Sequence, residues 1–165
     1  MNKSDLAKEN YNKGRLSEDL YKIILEDIGK WKVERLFETK AWYIKDGKLR
    51  KPPAQFFREE EVKNFFKETK REHLAGEIVK KLIELNKEGH SLPDFICKRN
   101  GFVKFVEVKN SKYEIDPNEI SQIKAINELK NNFNIETDII HLPLELEKES
   151  NELKAIKVSA PKKCN

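Results

Sequence analysis

Residues 91–109 read SLPDFICKRNGFVKFVEVK, and the fold is decided by how this stretch divides. Asn100-Gly101 between two runs rich in β-branched and aromatic residues is the signal of a two-residue hairpin turn. Residues 93–99 and 102–109 are therefore expected as paired antiparallel strands. Along the second strand side chains alternate in direction, so Val103, Phe105, Glu107 and Lys109 share one face, and Phe102, Lys104, Val106 and Val108 share the other. The first face is apolar at its start and charged at its end. Glu107 and Lys109 lie about 7 Å apart at strand rise, too far for a tight ion pair but placed to flank one small object. Asp94, at the head of the partner strand, reaches the same place across the hairpin. Two carboxylates and an ammonium at the rim of a buried sheet have the chemistry of a divalent-metal site.

On either side of the hairpin the pattern turns helical. In 71–87, Leu74, Ile78, Leu82 and Leu85 fall on one line, with Gly89 suited to a C-terminal cap. After a loop at 111–116, Asp116 and Pro117 suit the start of a helix running to about residue 131, and 135–142 reads as a further strand. The order helix, strand, strand, helix, strand predicts an α/β fold, a sheet covered by helices of the same chain.

The remaining chain is less patterned. Residues 1–14 are polar and expected to fray. Residues 17–40 read as helix, with Ser17 as N-cap and Leu20, Ile24, Ile28 and Trp31 as its apolar stripe. Residues 41–49 read as a small hairpin around Asp46-Gly47, and Lys51-Pro52-Pro53 breaks regular structure. Helix resumes near Arg58. Residues 145–150 are expected to be helical or loose, and 153–158 to add an edge strand. The expected division is a mostly helical extension over 1–70, a core over 71–145, and an edge segment with a basic tail over 146–165.

The chain has 165 residues, 38% hydrophobic and 38% charged, with net charge +4 and pI near 8.9. A single core is affordable, and the mild basicity favours a polyanionic partner without requiring one. Cys97 and Cys164 do not make a disulfide framework, which suits a reducing compartment. The first residues carry no apolar run, and no later run approaches a membrane span. The expectation is a soluble, cytoplasmic protein with no membrane partner. His73, His90 and His141 show no ligand spacing, so zinc is not expected. Cys97 points opposite Asp94 by parity and belongs to the core.

Pro93-Asp94, a gap to Glu107-Val108-Lys109, and helices on both sides resemble the PD-(D/E)xK nuclease superfamily. The run FVEVKNSKYEIDPNEISQIKAINEL is similar to its VRR-NUC branch, and Holliday-junction resolvases share the same core. The likeness covers about 71–142 and implies a restriction-endonuclease-like fold, in which the sheet is a mixed one flanked by helices. It implies Mg²⁺ or Mn²⁺ held by Asp94, Glu107 and the Val108 carbonyl, and Lys109 holding the attacking water or offsetting phosphate charge. Gln122 on the following helix and Glu77 on the preceding one would complete the catalytic set. The implied activity is cleavage of a nucleic acid, DNA rather than RNA, leaving a 5′-phosphate. Members of the superfamily place a strand between the first helix and the PD strand. Here that strand is either vestigial, at 89–92, or replaced by the 41–49 hairpin.

Lys48, Arg50, Lys51 and Arg58, interleaved with Trp42, Tyr43, Phe56 and Phe57, could grip a phosphate backbone and stack on unpaired bases. Equally, these aromatics could be core and the cations solvated. The N-terminal part would then serve substrate grip or a homodimer surface. Two other readings stand beside the nuclease: a nucleic-acid-binding or scaffold protein that keeps the fold without cutting, and a restriction-type enzyme that reads sequence.

Overall fold

The computed structural model describes residues 3–38, 43–50, 56–110, 117–142, 144–149, 152–158 and 162–163. In chain order these form helix α1 (Lys3–Ile23), a π-helical turn (Ile24–Ile28), strands β1 (Lys32–Arg35), β2 (Tyr43–Lys45) and β3 (Lys48–Arg50), and helix α2 (Glu59–Phe65). A 3-10 turn (Glu72–Leu74) leads into α3 (Ala75–Lys87), followed by β4 (Phe95–Arg99), β5 (Phe102–Lys109), α4 (Pro117–Phe133), β6 (Thr137–His141), β7 (Leu144–Glu149), β8 (Glu152–Val158) and β9 (Lys162–Lys163). The fold class is α/β. Among the described residues no helix is long and apolar enough to cross a membrane.

The central sheet is mixed, in the order β1-β4-β5-β6-β9. Its seed is the expected hairpin: Phe95 faces Val106 and Arg99 faces Phe102. Asn100 (φ 52) and Gly101 (φ 78) both take positive φ, as the tight turn that matches strand twist demands. Helix α4 carries the chain back so that β6 lies parallel to β5, with Lys109 opposite His141. Parallel pairing requires such a crossover.

Both faces of the hairpin are covered. Ile96 and Phe105 face a core with Val62 and Phe66, with Ile78 and Leu82 of α3, and with Ala125 and Leu129 of α4. Phe95, Cys97, Val106 and Val108 face the other way, toward Leu16, Leu20, Tyr21 and Leu25 of the first helical segment. Strands buried on both sides lose the polar alternation of a half-exposed sheet. That accounts for the near-continuous apolar runs FIC and FVEV.

The first forty residues depart from expectation. Helix begins at Lys3 rather than Ser17, and it does not continue to residue 40. It stops where Lys30 adopts φ 55 and the Trp31 N–H donates to the Leu25 carbonyl at 3.0 Å, a left-handed cap built without glycine at its usual place. Gly29 serves a different need: a Cβ there would lie 2.8 Å from Trp31 Cδ1 and 2.9 Å from the Leu25 oxygen. The chain then forms β1, antiparallel to β4 with Val33 opposite Cys97. A four-residue strand is too short to show alternation, and Trp31 and Leu36 extended the helical spacing by coincidence. The sheet therefore draws a strand from the first seventy residues.

Ser17 is not an N-cap. It is buried inside α1, where its hydroxyl donates to the Leu142 carbonyl at 2.9 Å and ties the helix to the end of β6. The 41–49 hairpin exists as β2 and β3, turning at Asp46-Gly47, but it forms a two-stranded sheet of its own. The 145–150 stretch, expected to be helical or loose, falls up to residue 149 in strand β7, which pairs with β8 rather than widening the main sheet.

Candidate active site

Asp94 precedes β4, and its side chain turns across the hairpin. The Val108 N–H donates to Asp94 Oδ2 at 2.8 Å. Successive residues of a strand point their backbone groups to opposite sides. The Lys109 carbonyl accepts from the Leu142 N–H on the β6 side at 2.8 Å. The Val108 carbonyl therefore opens toward Asp94, beyond Phe95, the last paired residue of β4.

Glu107 and Lys109 lie on the face of β5 that α4 covers, only 5% and 6% exposed. Contrary to the expectation from their spacing, they form an ion pair, Lys109 Nζ to Glu107 Oε1 at 2.9 Å. Long side chains converge where backbone separation alone suggests a gap. The other carboxylate oxygen, Glu107 Oε2, is buried with no hydrogen-bond partner among the described residues.

A third carboxyl arrives from an unexpected element. Glu18 of α1 interacts with both Asp94 and Glu107, while Arg35 Nη1 donates to Glu18 Oε2 at 2.7 Å and Nη2 to Asp19 Oδ1 at 2.5 Å. The Arg35 guanidinium lies 4.9 Å from the centre of the Phe95 ring, which fixes it against the sheet. Burial, opposed by Arg35, holds the Glu18 carboxyl above the usual range. Asp94 is held well above it, first by burial and then by the charges of Glu107 and Glu18. Carboxyls this close repel one another when ionised and favour a cation among them.

Glu77, the acid expected from the preceding helix, is exposed on α3, whose buried stripe is Ala75, Ile78, Val79, Leu82 and Leu85. Glu77 is not among the groups that act on Asp94, whereas Glu18 is. No signal in the sequence marked Glu18, because beside Asp19 it looks like an acid of a first helical turn. Gln122 is 3% exposed, and its Oε1 has no hydrogen-bond partner among the described residues. A crossover helix runs opposite to the strands it joins, so the start of α4 lies at the end of β5 that bears Glu107 and Lys109. Cys97 is buried on the opposite face as expected, and burial pushes its thiol up to about 12.

Of the cations proposed to grip phosphate, Lys48 and Arg58 have described side chains. Arg58 is engaged by Glu34 and reaches the Arg35 carbonyl at 3.3 Å, so it braces β1. Lys48 is exposed. Lys51, Trp42 and the side chains of Arg50 and Tyr43 lie outside the described residues.

A divalent cation is testable against this donor set. An oxygen-only constellation with an unsatisfied carboxylate oxygen suits a hard ion such as Mg²⁺. Among the described residues, however, no group of three His, Cys, Asp or Glu side chains is arranged to hold an ion as it stands. Glu107 is drawn onto Lys109 and Asp94 onto the Val108 N–H. Binding would require Glu107 to present Oε2 and Asp94 to be ionised, which burial and the charges of Glu107 and Glu18 oppose. No family model, no curated protein and no solved structure gives a significant match to this chain.

Proposed function

We propose that the chain is a metal-dependent nuclease of the PD-(D/E)xK type that hydrolyses phosphodiester bonds, with DNA as the substrate. The observation that carries this reading is the meeting of Asp94, Glu107 and Lys109 at one enclosed spot, joined by Glu18. The element order gives further support. Helix α1, strands β1, β4 and β5, helix α4 and strand β6 follow the sequence of elements that the resemblance leads one to expect, with α2 and α3 inserted between β1 and β4. On this reading β1 is the strand that the 89–92 segment and the β2–β3 hairpin were candidates to replace.

Asp94, Glu107 and the Val108 carbonyl are the ligands for Mg²⁺ or Mn²⁺, with Glu18 and Arg35 setting the charge beside them. Such a cation, when bound, supplies an acidified water and neutralises charge building on phosphorus. Lys109, released from Glu107, orients the attacking water or pairs with a non-bridging phosphate oxygen. Gln122 supplies an amide able to hydrogen-bond that water or the phosphate.

The test is a panel of labelled linear, flapped, four-way and single-stranded DNAs, with and without Mn²⁺, using the wild type, Glu107→Gln and Asp94→Asn. Metal-dependent cleavage lost in both variants is expected. Cleavage unchanged in either variant would remove that residue from the site. One observation favours a second reading, a nucleic-acid-binding protein with the fold of a nuclease and no activity: Glu107 is already neutralised by Lys109. Tight DNA binding with no cleavage of any substrate in Mn²⁺ would select it.

A further inference from the structure

Strand β6 ends in His141, directly opposite Lys109 in the parallel pairing with β5 and only 7% exposed. Partners in register on adjacent strands send their side chains to the same face, with backbones about 5 Å apart. His141 therefore stands beside Lys109 on the face that α4 covers, where Gln122 is also buried. The backbone here is pinned on two sides. Leu142, the next residue, donates its N–H to the Lys109 carbonyl at 2.8 Å and accepts from the Ser17 hydroxyl at 2.9 Å. A polar ring fixed on a covered face is costly unless it meets polar groups there.

The Lys109 ammonium sits on Glu107 Oε1 at 2.9 Å. An ammonium so close repels a divalent cation arriving at the same carboxylate, so cation binding drives Lys109 off Glu107. Lys109 is 6% exposed, and a buried ammonium without acceptors is strongly disfavoured. Two acceptors share its surroundings. Gln122 Oε1 is buried with no hydrogen-bond partner among the described residues, and a neutral imidazole offers one nitrogen lone pair. An ammonium has three hydrogens to donate. With one on His141 and one on Gln122, the third remains for the attacking water or a phosphate oxygen.

We propose, resting on the metal-dependent reading of this site, that His141 is a positioning residue: with Gln122 it takes up the Lys109 ammonium when Glu107 gives that ammonium up. Lys109 then has two places. On Glu107 it closes the site; on His141 and Gln122 it leaves the carboxylate open and stays within the enclosed spot. A histidine beside the lysine thus tunes how readily the site opens to a cation.

The experiment titrates the full chain with Mn²⁺ at about pH 8, where imidazoles are commonly neutral, and counts the free ion by EPR, so that affinity rather than cleavage is read. His141→Leu is expected to weaken Mn²⁺ binding about tenfold, the scale of losing one hydrogen bond to a charged group. His141→Gln keeps an acceptor and should recover most of that loss. Lys109→Met has no ammonium to move, so adding His141→Leu to it should change affinity by less than about twofold. A ring that served packing alone would cost the same factor in both backgrounds. That outcome would overturn the proposal, as would wild-type affinity in His141→Leu. If a thermal melt shows His141→Leu to be unfolded, His141→Phe takes its place in the same cycle. Mn²⁺ binding that depends on His141 in a protein that cuts no DNA would remove only the nuclease reading. Cutting with Mn²⁺ affinity indifferent to His141 would remove only this proposal, and an absence of Mn²⁺ binding would remove both.

Discussion

Asp94→Asn separates two roles that Asp94→Ala would mix. In the unfolded chain the carboxyl ionises near its ordinary value of 3.8, whereas in the fold burial and the charges of Glu107 and Glu18 hold its pKa well above that. As pH rises from the ordinary value to the raised one, the unfolded state has lost the proton and the folded state still holds it. Stability therefore falls across that window by about 1.4 kcal/mol per pH unit, levels off above the raised pKa, and is untouched below the ordinary one. Asparagine cannot ionise, yet it keeps an oxygen to accept from the Val108 N–H, the 2.8 Å bond of the wild type. Without metal, Asp94→Asn should match the wild type at low pH and exceed it near pH 7, each kcal/mol raising Tm by about 3 °C for a chain of this size. Asp94→Ala leaves the buried N–H unpaired and should fall below the asparagine variant by about 1–3 kcal/mol. Thermal melts in EDTA between pH 4 and pH 8 read all three proteins. Added Mg²⁺ should then raise the wild type and not the asparagine variant. An Asp94→Asn protein that melts at or below the wild type near neutral pH, or a gap that does not change with pH, would refute the crowded-carboxyl account.

The other predictions concern α1 and α3. Glu18→Gln should reduce metal-dependent cleavage on the order of 10²-fold, the scale of losing one charge-setting group from an active site, whereas Glu77→Gln should cleave as the wild type does; the reverse pattern in a labelled-DNA assay would restore the α3 acid. Ser17→Ala removes the buried hydroxyl that reaches the Leu142 carbonyl, and should lower stability by about 1–3 kcal/mol in a denaturant titration. A negligible change would mean that α1 is held without this bond, by its apolar contacts and by Arg35.

The hairpin was legible because its signals are local. Asn-Gly requires positive φ at both turn positions, and parity then assigns every side chain of 102–109 to a face. That placed Phe105 with Glu107 and Lys109, and Cys97 away from Asp94. The crossover by α4 to a parallel β6 was legible for the same reason, as a helix bounded by two β-rich runs. Glu18 was not legible, because its place beside Asp94 depends on where α1 docks: Ser17 reaches Leu142, and Arg35 reaches back to Glu18. β1 was missed because four residues give no period, and because its partner β4 lies about sixty residues further on.

By itself the sequence determined which residues the hairpin presents together, since alternation along a strand and the geometry of a two-residue turn act over a few bonds. Only the tertiary structure decided which distant helix supplies the third carboxyl, that Lys109 closes on Glu107, and that His141 of β6 stands beside Lys109. Those outcomes depend on how buried faces dock and on charges brought close in an enclosed space. Neither has any expression in the local order of residues.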